Sequence, residues 1–212
     1  MNLNRVFVSV SLLGGLLILS CASEPAKPTA DIAKPAVKKE VTLYTAQPCL
    51  ERMANMALRW QPDALPYRLQ SVPNAEDNGQ DGKSTVWRAD FASASTGQSK
   101  PFSCSGSRLR ESPPMGVTAD REYPLKAAVT FSLTDLNVDS DTVAKLAMDH
   151  GGADLVKKAP TQPVYYELDF DRKTHKLLWA AVYGTDLKDA KGVGIIDAST
   201  PKFIGVLNVS KH

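Results

Sequence analysis

The chain has 212 residues, of which 43% are hydrophobic, 23% charged and 7% aromatic. That is the make-up of a folded protein with room for one medium domain or two small ones at about 150 residues each. Twenty-five Lys and Arg stand against 23 Asp and Glu, too even a balance for the clustered basic footprint of a nucleic-acid binder. Three cysteines are too few for a disulfide-dense mini-protein or a four-thiolate metal site.

The amino terminus comes first because it sets the compartment. Arg5 precedes an apolar run from Val6 to Leu19. At about 14 residues the run is shorter than the roughly 20 that a bilayer span needs, and it fits the hydrophobic region of a secretory signal peptide. Ile18-Leu19-Ser20-Cys21 resembles the bacterial lipobox, an aliphatic, a variable and a small residue before a cysteine. The resemblance implies that residues 1–20 are removed as a signal peptide and that Cys21 receives a diacylglyceryl thioether. It also implies that the new amino group is acylated by a fatty acid such as palmitate. The alternative is a plain secretory signal with Cys21 incidental. Residues 21–42 then form a tether, with Pro25, Pro28 and Pro35 among lysines and alanines and too little apolar content to offset chain entropy. Where polyproline-like it extends at about 3.1 Å per residue. Acyl chains at about 0.8 kcal/mol per buried CH₂ would hold the protein to the bilayer. Ala22 after the cysteine implies the outer membrane under the enteric sorting rule, facing the periplasm or the cell surface.

An oxidising compartment makes Cys49 and Cys104 a disulfide by default, closing a loop of about 55 residues that the chain-entropy model values at about 4 kcal/mol. Two buried free thiols are the alternative.

The folded part reads as a duplication. Met53-Ala54-Asn55-Met56-Ala57-Leu58 and Val143-Ala144-Lys145-Leu146-Ala147-Met148 place apolar residues alike, and Trp87-Arg88-Ala89-Asp90-Phe91 matches Tyr166-Glu167-Leu168-Asp169-Phe170. Matching segments in the same order are a repeat signature. Residues 43–106 form the first copy, 107–124 a joint rich in Pro, Arg and Glu, and 125–212 the second copy. In the first, Leu50, Met53, Ala54, Ala57 and Leu58 recur at helical spacing, with Pro48 at the helix start. Strands follow around Leu69, around Trp87, Ala89 and Phe91, and around Phe102. In the second, Asp141 caps a helix that Gly151-Gly152 ends. Tyr166, Leu168 and Phe170 alternate in one strand, Leu178, Ala180 and Val182 line one face of the next, and Ile195-Ile196 and residues 203–209 close the sheet. Helices on one face of an antiparallel sheet give the α+β class, as two repeated helix-plus-sheet units.

The second copy, from Asp141 to Val206, resembles a PepSY-type domain. The likeness rests on the helix ending over residues 147–152, on Tyr165-Tyr166-Glu167-Leu168, on Trp179-Ala180-Ala181-Val182, and on Asp197-Ala198-Ser199-Thr200. The family pattern closes with glycine where this chain has Pro201, so the terminal turn must differ, because proline fixes φ near −65°. The resemblance implies a non-catalytic module, in some relatives a restraint on a peptidase.

The chain has no Gly-x-Ser-x-Gly, His-Glu-x-x-His or phosphate loop. His150, His175 and His212 read as surface residues, and Asp90 and Asp169 as solvated charges opposite their aromatic neighbours. Asp135, Asn137, Asp139 and Asp141 alternate like an EF-hand loop. However, Ser140 and Leu146 stand where glycine and a bidentate glutamate belong, so helix-start acids are the simpler reading. No catalytic residue, metal or cofactor is assigned. The expectation is a non-enzymatic envelope lipoprotein that binds a protein partner or takes part in envelope assembly. The alternatives are a peptidase-inhibitory module and an enzyme with a shallow site. Tyr165, Trp179 and Tyr183, opposite Leu168, Leu178 and Val182 if alternation is simple, are the candidate docking residues, with burial between the copies as the competing outcome.

Overall fold

The computed structural model describes residues 40–207. The signal peptide, Cys21, the tether up to residue 39, and His212 lie outside the described residues. No helix among those described is long and apolar enough to cross a membrane.

The first helix, α1 (Ala46–Trp60), buries Ala46, Cys49, Leu50, Met53, Ala54 and Ala57, the single stripe that 3.6-residue periodicity produces. Pro48 lies within the first turn, where a missing N–H costs nothing. The helix starts without a cap from its own Thr45. Instead Ala46 N–H donates to Ser140 Oγ and Gln47 N–H to Asp139 Oδ1, both at 2.9 Å. Asp139 is also the N-cap of α2 (Ser140–Ala147), accepting from Ser140 N–H at 2.7 Å. One carboxylate therefore serves two helix N-termini, each the positive end of its dipole. Asp139, not Asp141, caps the second helix.

Gly151-Gly152 do not end the helical run. The chain kinks there, with Gly151 at φ 107°, and resumes as α3 (Ala153–Lys158). Gly152 has to be glycine for space, since a Cβ would lie 1.8 Å from the Tyr183 hydroxyl oxygen.

The strands are β1 (Leu65–Ser71), β2 (Val86–Ser93), β3 (Gln98–Ser105), β4 (Gly116–Ala119), β5 (Tyr123–Pro124), β6 (Val164–Asp171), β7 (Lys176–Tyr183), β8 (Val193–Asp197) and β9 (Lys202–Leu207). They form one antiparallel sheet in the order β4-β3-β2-β1-β6-β7-β8-β9, with β5 on β3. A helix precedes a meander in each half, and the two meanders meet where β1 pairs with β6. Helices α1 and α2 pack on one face of this sheet over a single core. The fold is α+β. The segment 107–124, expected as a joint, instead carries β4 and β5 and completes one edge of the sheet.

Two tryptophans mark the centre of the core. Trp87 and Trp179 are both fully buried, with ring centroids 6.4 Å apart at 74°. Trp87 Nε1 donates to the Tyr44 carbonyl at 2.8 Å, and Trp179 Nε1 to the Val138 carbonyl at 2.9 Å. Each acceptor lies two residues before its helix, so each indole fixes the approach to the helix that starts its half. Position in the sheet pairs β2 with β7, as second strands. The sequence match of Trp87–Phe91 with Tyr166–Phe170 set a second strand against a first strand, because both are aromatic strands ending in Asp-Phe. Cys49 on α1 and Cys104 on β3 form a disulfide with Cα atoms 5.6 Å apart, tying the helix to the sheet.

The three aromatics expected on one exposed face are not there. Leu168 pairs with Trp179 across β6 and β7, so both point to the helices. Tyr183, on the same side of β7, is buried in that core as well. Tyr165 points the other way and is buried with Val182 and Val193, with Ala190 packed against them. Burial pushes the Tyr165 and Tyr183 hydroxyls up to about 12.

Candidate functional site

With the helices on one side, the other face of the sheet is left to a mixed set of side chains. Its middle is built by register. Arg68 on β1 stands opposite Asp90 on β2 and Asp169 on β6, and Gln70 stands opposite Arg88 and Glu167. A bulge between Pro66 and Arg68 inserts Tyr67 beside them. Arg68 Nη2 pairs with Glu167 Oε1, while its Nε is buried without a partner among the described residues. Arg88 Nη2 lies 2.9 Å from Asp120 Oδ2. The Tyr67 hydroxyl is 2.9 Å from both Ser99 Oγ and the Tyr123 hydroxyl, and Tyr123 donates to Asp90 Oδ1 at 3.4 Å. Burial raises the Asp90 carboxyl, partly offset by Arg88 and Arg68. Burial likewise drives the Tyr67 hydroxyl well above its ordinary value, so it stays protonated and can donate.

Next to this polar row the face turns apolar through Leu178, Ala180 and Ile195. These join Arg68, Glu167 and Asp169 in lining a cleft of about 630 Å³. At one end residues 127–129 wall the cleft, held by Phe131 N–H on the Pro66 carbonyl at 2.9 Å and by Arg172 Nη2 on the Ala127 carbonyl at 2.9 Å. The Tyr165 cluster continues the same face beyond Ala180. The cleft is open and of ligand-pocket size. Its lining carries Glu167, Asp169 and Asp171 against Arg68, Arg172 and Lys173, while Asp90, Arg88 and Asp120 extend the polar row outside it.

A second cleft of similar volume lies between residues 74–81 and Pro160–Pro163, but its acids are committed to holding the loop. Asp77 accepts from Thr85 N–H and Oγ1 at 2.8 Å, and Glu76 accepts from Arg108 N–H at 3.0 Å. The EF-hand-like stretch is spent the same way. Asp135 accepts from Ser132 N–H, Asp139 caps both helices, and Asp141 accepts from Thr142 N–H. Among the described residues no group of three or more His, Cys, Asp or Glu is placed to hold a metal ion. His150 stacks on Phe203 at 4.1 Å, with Nδ1 2.8 Å from the Leu146 carbonyl, and His175 takes φ 55° in the β6–β7 turn. Neither lines the sheet-face cleft.

Of the expected site residues, Cys49 and Cys104 come together, and Tyr165, Trp179 and Tyr183 do not share a surface. Asp90 and Asp169, read as separate solvated charges, flank one arginine. Arg68, Tyr67 and Tyr123 were not foreseen. For Arg68 the signal was a polar residue at the same strand parity in β1, β2 and β6, which gains meaning only once the strand order is known; Tyr67 enters through the bulge and Tyr123 from β5.

No family model and no curated protein matches the chain. Among solved structures, it is similar to the crystal structure of a candidate lipoprotein from Clostridium difficile 630. The TM-score is 0.51 at 11% identity, over 75% of this chain and 91% of that one. At that identity the likeness is one of fold.

Proposed function

We propose that this is a non-enzymatic envelope lipoprotein, anchored through Cys21 in the outer membrane, that holds a protein partner on the open face of its sheet. The observation that carries the reading is the sheet face on which no helix packs among the described residues, with Arg68, Asp90, Glu167 and Asp169 beside Leu178, Ala180 and Ile195. Among the described residues Asp169 accepts from Phe170 N–H and forms no ion pair, and such a carboxylate beside aliphatic side chains suits a protein segment that presents a basic residue next to apolar ones. Glu167 pairs with Arg68, Asp90 accepts from Tyr123, and Asp169 and Asp171 accept from nearby backbone N–H groups, and no histidine or free thiol stands among the cleft residues. This favours a binding surface over an acid–base centre. The shared fold with a candidate lipoprotein and the Ile18-Leu19-Ser20-Cys21 segment both favour the anchor.

The same reading takes the two halves as copies of one helix-plus-meander unit. It rests on the matched indole bonds of Trp87 and Trp179 and on the pairing of β1 with β6. The PepSY-like likeness of the second half suggests a restraint on another envelope protein as one form of the partner role.

The anchor is tested with the full chain expressed in a bacterial host. Cys21→Ala is expected to leave uncleaved precursor or to release soluble protein, with no fatty-acid label incorporated. If the Cys21→Ala protein is processed correctly and still partitions fully into the detergent phase, the lipoprotein reading is wrong.

A further inference from the structure

The open face of the sheet divides into two halves. On β1, β2 and β6 it carries Arg68, Gln70, Arg88, Asp90, Glu167 and Asp169. On β7 and β8 it carries Leu178, Ala180 and Ile195, all three half-buried. Register sets these residues in rows across the strands. In one row Gly205 on β9 stands opposite Ile195, Ile195 opposite Ala180, and Ala180 opposite Glu167. In the next row Leu178 stands opposite Asp169, and Asp169 opposite Arg68. Residues 127–129 wall this floor on one side, and on the other side stands Ala190, packed on the Tyr165 cluster beside Ala180 and Ile195. The trough between the two walls therefore runs across the strands. At its polar end Glu167 pairs with Arg68, while Asp169 is exposed and, among the described residues, accepts only from Phe170 N–H.

We propose that the partner segment held on this face is an amphipathic α-helix lying across the strands, with an apolar stripe over Gly205, Ile195 and Ala180 and a Lys or Arg directed at Asp169. This rests on the partner-binding reading above and adds what the partner presents. The floor selects a helix. The backbone groups of β7 and β8 are spent in the ladders with their neighbours, so the face offers a guest chain side chains and no N–H or C=O. An extended guest on Ala180 and Ile195 would bury its own backbone groups without partners, whereas a helix bonds them internally. The other face of the sheet follows the same rule, since α1 and α2 are what pack there. The spacing agrees. Strands lie about 4.8 Å apart and a helical turn rises about 5.4 Å, so a helix across the strands presents about one stripe residue per strand. Ala180 and Gly205 are small, which lets the helix approach closely. The cation then falls one turn beyond the residue over Ala180. From there its long side chain spans the two-residue offset, roughly 7 Å along the strand, to Asp169. Asp169 gains a counter-charge in this arrangement, whereas Glu167 already has one in Arg68.

The test maps the contact in the full, membrane-attached chain, with a photo-cross-linking amino acid placed in turn at Gly205, Ile195 and Ala180. Position 205 accepts a side chain, since nothing lies within 4 Å of a Cβ built there. Peptide mapping is expected to place the three adducts on one partner segment at successive intervals of about three or four residues. If position 195 does not tolerate the probe, positions 205 and 180 alone should map about seven residues apart. Asp169→Lys should weaken the adducts at least about tenfold, and changing the mapped Lys or Arg of the partner to Glu should restore them. Intervals of about one or two residues, the spacing of an extended chain at about 3.3 Å per residue, would overturn the helix and leave the partner reading standing. So would adducts scattered over several segments, or Asp169→Lys with no effect on them. No adduct from any of the three positions would overturn the partner reading, and the helix with it.

Discussion

Trp179→Ala is expected to destabilise the protein by about 3–5 kcal/mol. For a chain of this size that corresponds to a thermal midpoint lower by roughly 10 °C. The ring is fully buried against Trp87, and its removal leaves a cavity at the centre of the core. The Val138 carbonyl also loses its donor, which adds the cost of a buried acceptor without a partner. Trp179→Phe keeps most of the volume and loses the hydrogen bond, so it should cost about a third as much. Thermal unfolding of the three proteins by circular dichroism measures the series. A loss below about 1 kcal/mol for Trp179→Ala would mean that the indole is not a core element.

Removing the disulfide should be nearly as costly. Cys49 and Cys104 are separated by 55 residues, a loop whose closure is worth about 4 kcal/mol in the chain-entropy model and often less in practice. Both residues are buried between α1 and β3, so a Cys49→Ala, Cys104→Ala protein also loses packing. The wild-type protein, denatured without reductant after oxidative preparation, should show no thiol from this pair. The double variant should unfold at a clearly lower denaturant concentration. Two titratable thiols in the wild type, or equal unfolding midpoints, would contradict the bond as a stabilising tie.

Helix positions and most strand centres were legible because each carries an unambiguous period. Leu50, Met53, Ala54 and Ala57 can lie only on a helical stripe, and Trp87, Ala89 and Phe91 only on one side of a strand. Strand β7 was not legible. In Lys176-Leu177-Leu178-Trp179-Ala180-Ala181-Val182-Tyr183 both parities are apolar, because Trp179 and Tyr183 face the helices while Val182 packs with Tyr165 on the other face. A strand buried on both sides has no phase to read, so Leu178 and Val182 were taken for the helix side and the aromatics for the open side. The expected repeat set Trp87–Phe91 against Tyr166–Phe170, strands that hold different places in the sheet, because local likeness outweighed strand order. The polar row was out of reach for a further reason. Arg68 faces Asp90 and Asp169 across strands 22 and 101 residues away, and only the register between β1, β2 and β6 makes one site of them. The double cap at Asp139 was hidden likewise, since its partner on α1, Gln47, lies 92 positions earlier.

The claim that the open face of the sheet is the working surface is tested most directly by replacing Ala180 with a photo-cross-linking amino acid in the full, membrane-attached chain. Leu58, 49% exposed on α1, serves as the control on the helix side. Illumination of intact cells is expected to give one discrete adduct from position 180 and none from position 58. Asp169→Lys should weaken that adduct by removing a carboxylate that faces the partner's basic residue. Adducts from position 58 with none from position 180, or an adduct at 180 unaffected by Asp169→Lys and by salt, would contradict the account.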